Sequence, residues 1–325
     1  MIRFGVIGSG AIATQFVKEA MLNETIQIIG VVARNLEKTT VFAKEYEIET
    51  VYETVEEMLA STQIDAIYIA SLHPTHALYS IMALESGKHV LCEKPCSLTP
   101  QQMLKIQEAA IKSGKLFMEA MTIGFHPLYQ EMKAKIGDGI IGEITHIESH
   151  LGRMSLKEHK HFPNLAGGCI YDIGIYNIFF ILDLLGPIQK TKTLGRKHRK
   201  WDVIGTVQVL AEHKNGAHSY SYMTMDSLSS GRAVIIGTKG TIEIEPSWST
   251  PHKYTIKFPE SEDLVYTYET SCWLGFEIAA FAKLIAQGKV ESPMITWERS
   301  LEIQETIAQI YADLGIELPE EAILI

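Results

Sequence analysis

Residues 1–35 constrain the fold more than any other stretch of this chain. Ile2, Phe4, Val6 and Ile7 form a short apolar run, the kind that suits a parallel strand buried on both faces. Gly8-Ser9-Gly10-Ala11-Ile12-Ala13 follows at once, a GxGxxA turn. Ile12, Phe16, Ala20 and Met21 then recur at helical spacing, and residues 26–33 (IQIIGVVA) read as a second buried strand. Strand, glycine turn, helix and strand in this order make a βαβ unit.

Each position of that turn has a physical task. Gly8 lets the chain leave the strand sharply. Gly10 has no Cβ, so a pyrophosphate can approach the backbone. Ala13 is small enough for helix and strand to pack closely, and the helix N-terminus offers unpaired N–H groups to the phosphates. A small-residue turn without a ligand would use similar residues, but the flanking strand and helix favour a dinucleotide site. Gly8, Ser9, Gly10, Ala11 and Ile12 are the expected contacts. The second strand ends in Val32-Ala33-Arg34-Asn35, with no acid to hold a ribose 2′-hydroxyl. Arg34 can pair with a 2′-phosphate and stack on adenine, so the expected cofactor is NADP(H), with NAD(H) still possible.

Strand and helix patterns alternate up to about residue 118. Strand-like segments fall at 51–52, 66–70, 88–92 and 116–118, with helices at 36–46, 55–61, from after His76 to about 86, and at 101–112. Thr99 is placed to cap the last of these, Pro100 to open it and Gly114 to stop it. This alternation predicts a doubly wound parallel sheet, an α/β Rossmann domain over residues 1–120. After that the pattern changes to strand-like runs at 143–151, 189–194, 206–212, 217–225, 232–236, 241–244 and 254–258, with helices at 125–135, 173–185, 275–286 and 298–314. Residues 121–325 are therefore expected to form an α+β domain on a mostly antiparallel sheet.

The net charge of −10 argues against a nucleic-acid or anionic-membrane surface, and the short basic run at 196–200 reads as a solvated loop. Cys92, Cys96, Cys169 and Cys272 show no zinc or CxxC spacing and read as reduced thiols. The first strand starts at Ile2, leaving no room for a signal peptide, and no apolar run reads as long enough to span a membrane. A cytoplasmic location is expected.

Two segments can carry chemistry. One is Glu93-Lys94-Pro95 at the end of the fifth strand, where ligands of open α/β sheets bind. The other is Gly167-Gly168 followed by Asp172 and Tyr176, four residues apart and able to share a face if Asp172 opens a helix. Singly, each has a plainer reading: Lys94 as a surface lysine, Asp172 as a helix cap, Tyr176 as a core tyrosine. Together they suit proton transfer beside a nicotinamide. A free phenol ionises near pH ~10, and an adjacent ammonium lowers that value. His150, His159 and His161 fall between the first strand of the second domain and the glycine pair, as pocket candidates or surface residues. No carboxylate or cysteine sits at helpful spacing to make them a metal site, so no metal is expected.

The turn, the stretch from His73-Pro74-Thr75-His76 to Glu93-Lys94-Pro95, and the Gly167-Gly168…Asp172-Ile173-Gly174-Ile175-Tyr176 run resemble the Gfo/Idh/MocA oxidoreductase family along the whole chain. The resemblance implies a Rossmann domain followed by a domain with a large open sheet, which commonly buries one face in a homodimer or homotetramer. It assigns Lys94 as the catalytic lysine, Tyr176 to a position held by histidine or tyrosine, and Asp172 as partner aspartate. Leu72, His73 and Glu93 join the cofactor-contacting set. Tyr176 with Met118-Glu119-Ala120 looks most like the dihydrodiol dehydrogenase and glucose–fructose oxidoreductase branch. The dihydrodiol dehydrogenases of that branch tend to carry an aromatic residue and an arginine where this chain has Thr122 and Gly124, which points to a more open, polar pocket.

The expected activity is hydride transfer between a nicotinamide and a sugar, polyol or related secondary alcohol or carbonyl. The alternatives are a trans-dihydrodiol dehydrogenase-type activity and a non-catalytic NADP(H)-sensing regulator. Arg34→Glu should reverse the preference for NADPH over NADH, by about tenfold or more if the arginine makes a charge-assisted phosphate contact. Titration of both cofactors checks this, and unchanged affinities would remove Arg34 from the site.

Overall fold

The computed structural model describes residues 1–154 and 162–325. They divide into two compact units: Met1–Thr122 with Cys272–Ser300 and Leu324–Ile325, and Ile123–Ser271 with Leu301–Ile323.

The first unit opens with β1 (Ile2–Ile7), α1 (Ala11–Ala20), β2 (Ile26–Val32), α2 (Leu36–Glu45), β3 (Thr50–Val51) and α3 (Val55–Ala60). It continues with β4 (Ala66–Ile69), α4 (His73–Glu85), β5 (His89–Glu93), α5 (Pro100–Ser113) and β6 (Phe117–Ala120). The strands form one parallel sheet in the order β3-β2-β1-β4-β5-β6, the doubly wound arrangement expected from the alternation. Val6, Ile67, Ile69, Val90 and Leu91 have no exposed surface, which is why these strands read as unbroken apolar runs. The helix punctuation works as read: Thr99 Oγ1 accepts the Gln102 N–H at 3.1 Å, and Gly114 takes a left-handed conformation (φ 64°) to end α5.

The second unit contains α6 (Pro127–Gly137), β7 (Ile144–Gly152), a π-helical turn at Ile170–Gly174 and α7 (Ile175–Leu185). Then come β8 (Ile188–Lys197), β9 (Ile204–His213), β10 (His218–Thr224), β11 (Ala233–Gly237), β12 (Thr241–Ile244), β13 (Lys253–Lys257) and β14 (Leu264–Thr267). The sheet runs β14-β13-β12-β11-β7-β10-β9-β8, antiparallel except for the β7–β10 pair. β14 was not anticipated: LVYT is short and, apart from a half-buried Tyr266, exposed, so it lacks a clear inward–outward alternation. Asn177 on α7 donates to the Ser149 carbonyl (3.0 Å) and hydroxyl (2.8 Å), pinning the helix to the sheet.

One sequence expectation is corrected here. Pro163–Leu185 is long and apolar enough to cross a membrane, yet 83% of its most apolar window is buried within the protein, as befits a core helix. The four cysteines are free, as expected, and only Cys272 is not fully buried.

The units are not the consecutive stretches 1–120 and 121–325, because the chain returns to the first unit at residue 272. There α8 (Gly275–Ala286) brings Phe281, with no exposed surface, to 5.7 Å from Phe4 of β1. Glu19 of α1 accepts the Gly275 N–H at 2.6 Å and the Cys272 thiol at 2.9 Å. The Phe117 N–H of β6 donates to Val290, and Trp297, which opens α9 (Trp297–Asp313), donates to the Phe117 carbonyl. Helical periodicity marks an apolar face without saying which sheet it will cover. Phe281→Ala should cost about 3–5 kcal/mol through the cavity left behind. Thermal unfolding checks this, and a wild-type midpoint would take α8 out of the core.

Candidate active site

The residues expected to hold a dinucleotide all follow the carboxyl ends of strands in the first unit. β1 lies between β2 and β4, the point where strand order reverses and where such sheets open a crevice. Gly8 has φ 120°, and a Cβ there would collide with the Ala70 carbonyl oxygen just beyond β4. Its N–H donates to the Val32 carbonyl at 2.8 Å, while the Ala70 N–H donates to Ile7 at 2.8 Å, so both neighbours tie the turn down. Gly10 is the reverse case: a Cβ there meets nothing within 4 Å. Gly10 caps α1 with no side-chain bond, and the first turn carries no acid. A bare, uncapped helix end beside open space fits a phosphate group. Ser9 and Ile12 are half-buried and Ala11 is exposed at this same end. Arg34 is exposed just past β2, where a 2′-phosphate would lie in a Rossmann site.

After β4, half-buried Leu72 and His73 lead into α4. At the end of β5, Glu93 is buried and accepts the Tyr68 hydroxyl at 2.6 Å. Burial pushes its carboxyl up, and the Tyr68 bond and the Lys94 charge oppose that. Lys94 itself is half-buried. The structure thus gathers Gly8–Ile12, Arg34, Leu72–His73 and Glu93–Lys94 along one edge of one sheet.

The second unit carries the other half of the predicted set. Asp172 stands in the π-helical turn and Tyr176 in the first turn of α7, which continues from it. The expected α-helix thus begins later than Asp172, and the preceding turn is wider. Glycine explains the local path. A Cβ at Gly174 would collide with the Met223 sulfur of β10, and one at Gly168 would lie 3.0 Å from the Ile204 carbonyl. Asp172 has 5% side-chain exposure and pairs with Arg153, 63% exposed, at 3.4 Å. Tyr176 is half-buried. Arg153 was not picked out from the sequence; its one signal is a cation directly after a strand.

His150 lies on the other face of β7 from Ser149, by strand alternation. Its ring is 3.2 Å from the Ser230 hydroxyl and packs edge-on against Tyr220 and Tyr222, so it is engaged in the sheet. His159 and His161 fall outside the described residues. Among the described residues, no group of three or more His, Cys, Asp or Glu is arranged to hold a metal ion.

A parallel sheet with open space at the glycine turn of its switch point, and a lysine at its carboxyl edge, suits the class of NAD(P)-dependent oxidoreductases. Residues 2–121 match the oxidoreductase family with an NAD-binding Rossmann fold, and residues 129–243 match the Gfo/Idh/MocA C-terminal domain. The chain belongs to the Gfo/Idh/MocA family. It is 25% identical over 333 residues to the trans-1,2-dihydrobenzene-1,2-diol dehydrogenase of Bos taurus, covering 98% of this chain and 99% of that one. The Homo sapiens enzyme of that name is 24% identical over 336 residues, with the same coverage. Among solved structures, KijD10, a 3-ketoreductase from Actinomadura kijaniata in complex with NADP and TDP-benzene, superposes with a TM-score of 0.87 at 22% identity, over 96% of this chain and 97% of that one. An NAD-binding oxidoreductase from Klebsiella pneumoniae gives 0.86 at 18% identity, over 97% and 96%.

Because the space at Gly10 is open, Gly10→Ala should leave the unfolding midpoint unchanged while weakening NADP(H) binding by about tenfold or more. Calorimetric titration beside thermal unfolding checks this. A variant that binds as well as the wild type would mean that no phosphate approaches the turn.

Proposed function

We propose that this protein is an NADP(H)-dependent dehydrogenase or reductase acting on a secondary alcohol or carbonyl of a sugar or polyol. The observation that carries the reading is the alignment of the glycine turn, Arg34, Leu72–His73 and Glu93–Lys94 along one sheet edge. Arg34, with no acid at the end of β2, favours a 2′-phosphate. A bound nicotinamide would supply or accept the hydride.

The chain's own part is the proton. In the oxidative direction Tyr176, as phenolate, takes the substrate hydroxyl proton while the carbon loses hydride; in the reductive direction the phenol returns it. By the family resemblance Lys94 is the group whose ammonium would favour the phenolate, and Asp172 its partner. Arg153 pairs with Asp172 within the strand-rich unit, at 3.4 Å. In this reading Met1–Thr122 binds the dinucleotide, and the strand-rich unit binds substrate and assembles the protein into a homodimer or homotetramer.

A dihydrodiol dehydrogenase-type activity is the second reading, supported by full-length similarity to those enzymes. Thr122, buried where that branch carries an aromatic residue, weighs against an aromatic diol.

Nicotinamide absorbance over a panel of sugars, polyols and dihydrodiols tests both readings. Tyr176→Phe should lower kcat at least about a hundredfold with the cofactor Kd within twofold, the size of effect a lost general acid–base produces. Lys94→Ala combined with Tyr176→Phe should cost little more than the worse single change, since groups acting as one unit are not additive. Near-normal turnover in Tyr176→Phe would remove the phenol from the mechanism. Silence across the panel with tight cofactor binding would favour a sensor instead.

A further inference from the structure

The chain just beyond Lys94 is gripped from two sides within the first unit. His76, buried, sets Nδ1 2.7 Å from the Pro95 carbonyl and Nε2 3.1 Å from the Ser71 carbonyl. Glu119 of β6, 1% exposed, accepts the Cys96 N–H on Oε1 at 2.9 Å and the Ser300 hydroxyl on Oε2 at 2.6 Å. A carboxylate this deep is costly unless its oxygens are bonded, and both are. One donor comes from the loop that carries the lysine and the other from α9, so the side chain ties that loop to a helix.

We propose that Glu119 is a positioning residue for Lys94: it fixes the backbone two residues beyond the lysine and supplies the negative charge that keeps the lysine an ammonium. This rests on the reading of Lys94 as catalytic. The groups facing Glu119 are Cys92, Glu93 and Lys94 of β5 and its end, Cys96 of the following loop, and Ser300 of α9. Burial pushes the Glu119 carboxyl up, and the bonds from Ser300 and Cys96 and the charge of Lys94 pull it back. Glu93 also faces the lysine, but it has another acid in its field: Glu277 of α8, fully buried, with a carboxyl pushed well up by burial and by Glu93 and Glu19. Glu93 and Glu119 lie in each other's field as well, and what sets Glu119 apart is that each of its oxygens accepts a bond, one from the Lys94 loop and one from α9. His76 adds no positive charge of its own at neutral pH, because burial pushes its imidazole down.

Glu119→Gln keeps an acceptor for the Cys96 N–H and removes the charge. It should lower kcat at least tenfold, leave the cofactor KM unchanged and move the alkaline limb of the kcat–pH profile to lower pH, since the lysine loses its proton sooner. Ser300→Ala keeps the charge and removes one bond to it. Its carboxyl should then protonate at higher pH, so the acidic limb moves up while the alkaline limb stays. NMR titration of the full-length protein with 13C-methylated lysines, Lys94 being assigned by Lys94→Arg, reads the same charge without turnover. The Lys94 midpoint should fall in Glu119→Gln and hold in Ser300→Ala. An unmoved midpoint in Glu119→Gln, or an activity loss that only tracks the loss of folded protein, overturns the proposal. If Glu119→Gln does not fold, an unmoved acidic limb in Ser300→Ala overturns it. A wild type that turns over nothing on the panel defeats the oxidoreductase reading, and the Lys94 titration then decides the role of Glu119 by itself.

Discussion

The close approach of the β1–α1 turn to the end of β4 is the constraint on which the first unit depends. Gly8 passes so near the Ala70 carbonyl that no side chain fits, and its φ of 120° suits glycine alone. Backbone bonds to Val32 on one side and between Ala70 and Ile7 on the other hold the turn in that position. Strand order reverses here, the place where open α/β sheets bind ligands at their carboxyl edge. Two residues later Gly10 faces open space at an uncapped helix end. One glycine is present because nothing fits beside it, and the other borders open space.

The strand-rich unit uses small residues differently. Its glycine-rich motif is largely a packing requirement. Gly174 clears the Met223 sulfur and Gly168 clears the Ile204 backbone, letting the π-helical turn lie close on β10 and its neighbours. Asn177 then locks α7 to Ser149. Asp172 and Tyr176 are carried on a segment whose path is set by contacts with the sheet beneath. A buried carboxylate on such a segment needs a partner, and Arg153 from the end of β7 provides one.

Much of this was legible beforehand because the signals were local. The βαβ order, Thr99 as a cap, Gly114 as a stop and the change of pattern near residue 120 all come from neighbours a few positions apart. The misreadings share a cause. Helix α8 was assigned to the later domain because an amphipathic pattern does not name its partner. Pro163–Leu185 looked too short an apolar run because its glycine-rich start hid the length of the helical segment. Strand β14 carries too little burial to announce itself. Arg153 and Glu119 gain their meaning from residues 19 and 23 positions away along the chain, Asp172 and Cys96.

The amino-acid order by itself determined the two kinds of sheet, the glycine turn at the first crossover and the family motifs, because backbone propensity and apolar period act over a few residues. Tertiary structure alone decided that residues 272–300 complete the first unit, that Arg153 meets Asp172, and that the Lys94 loop is held through Glu119 and His76. Those outcomes depend on which buried surfaces and buried charges find one another, and a carboxylate removed from water is stable only beside donors that folding brings to it.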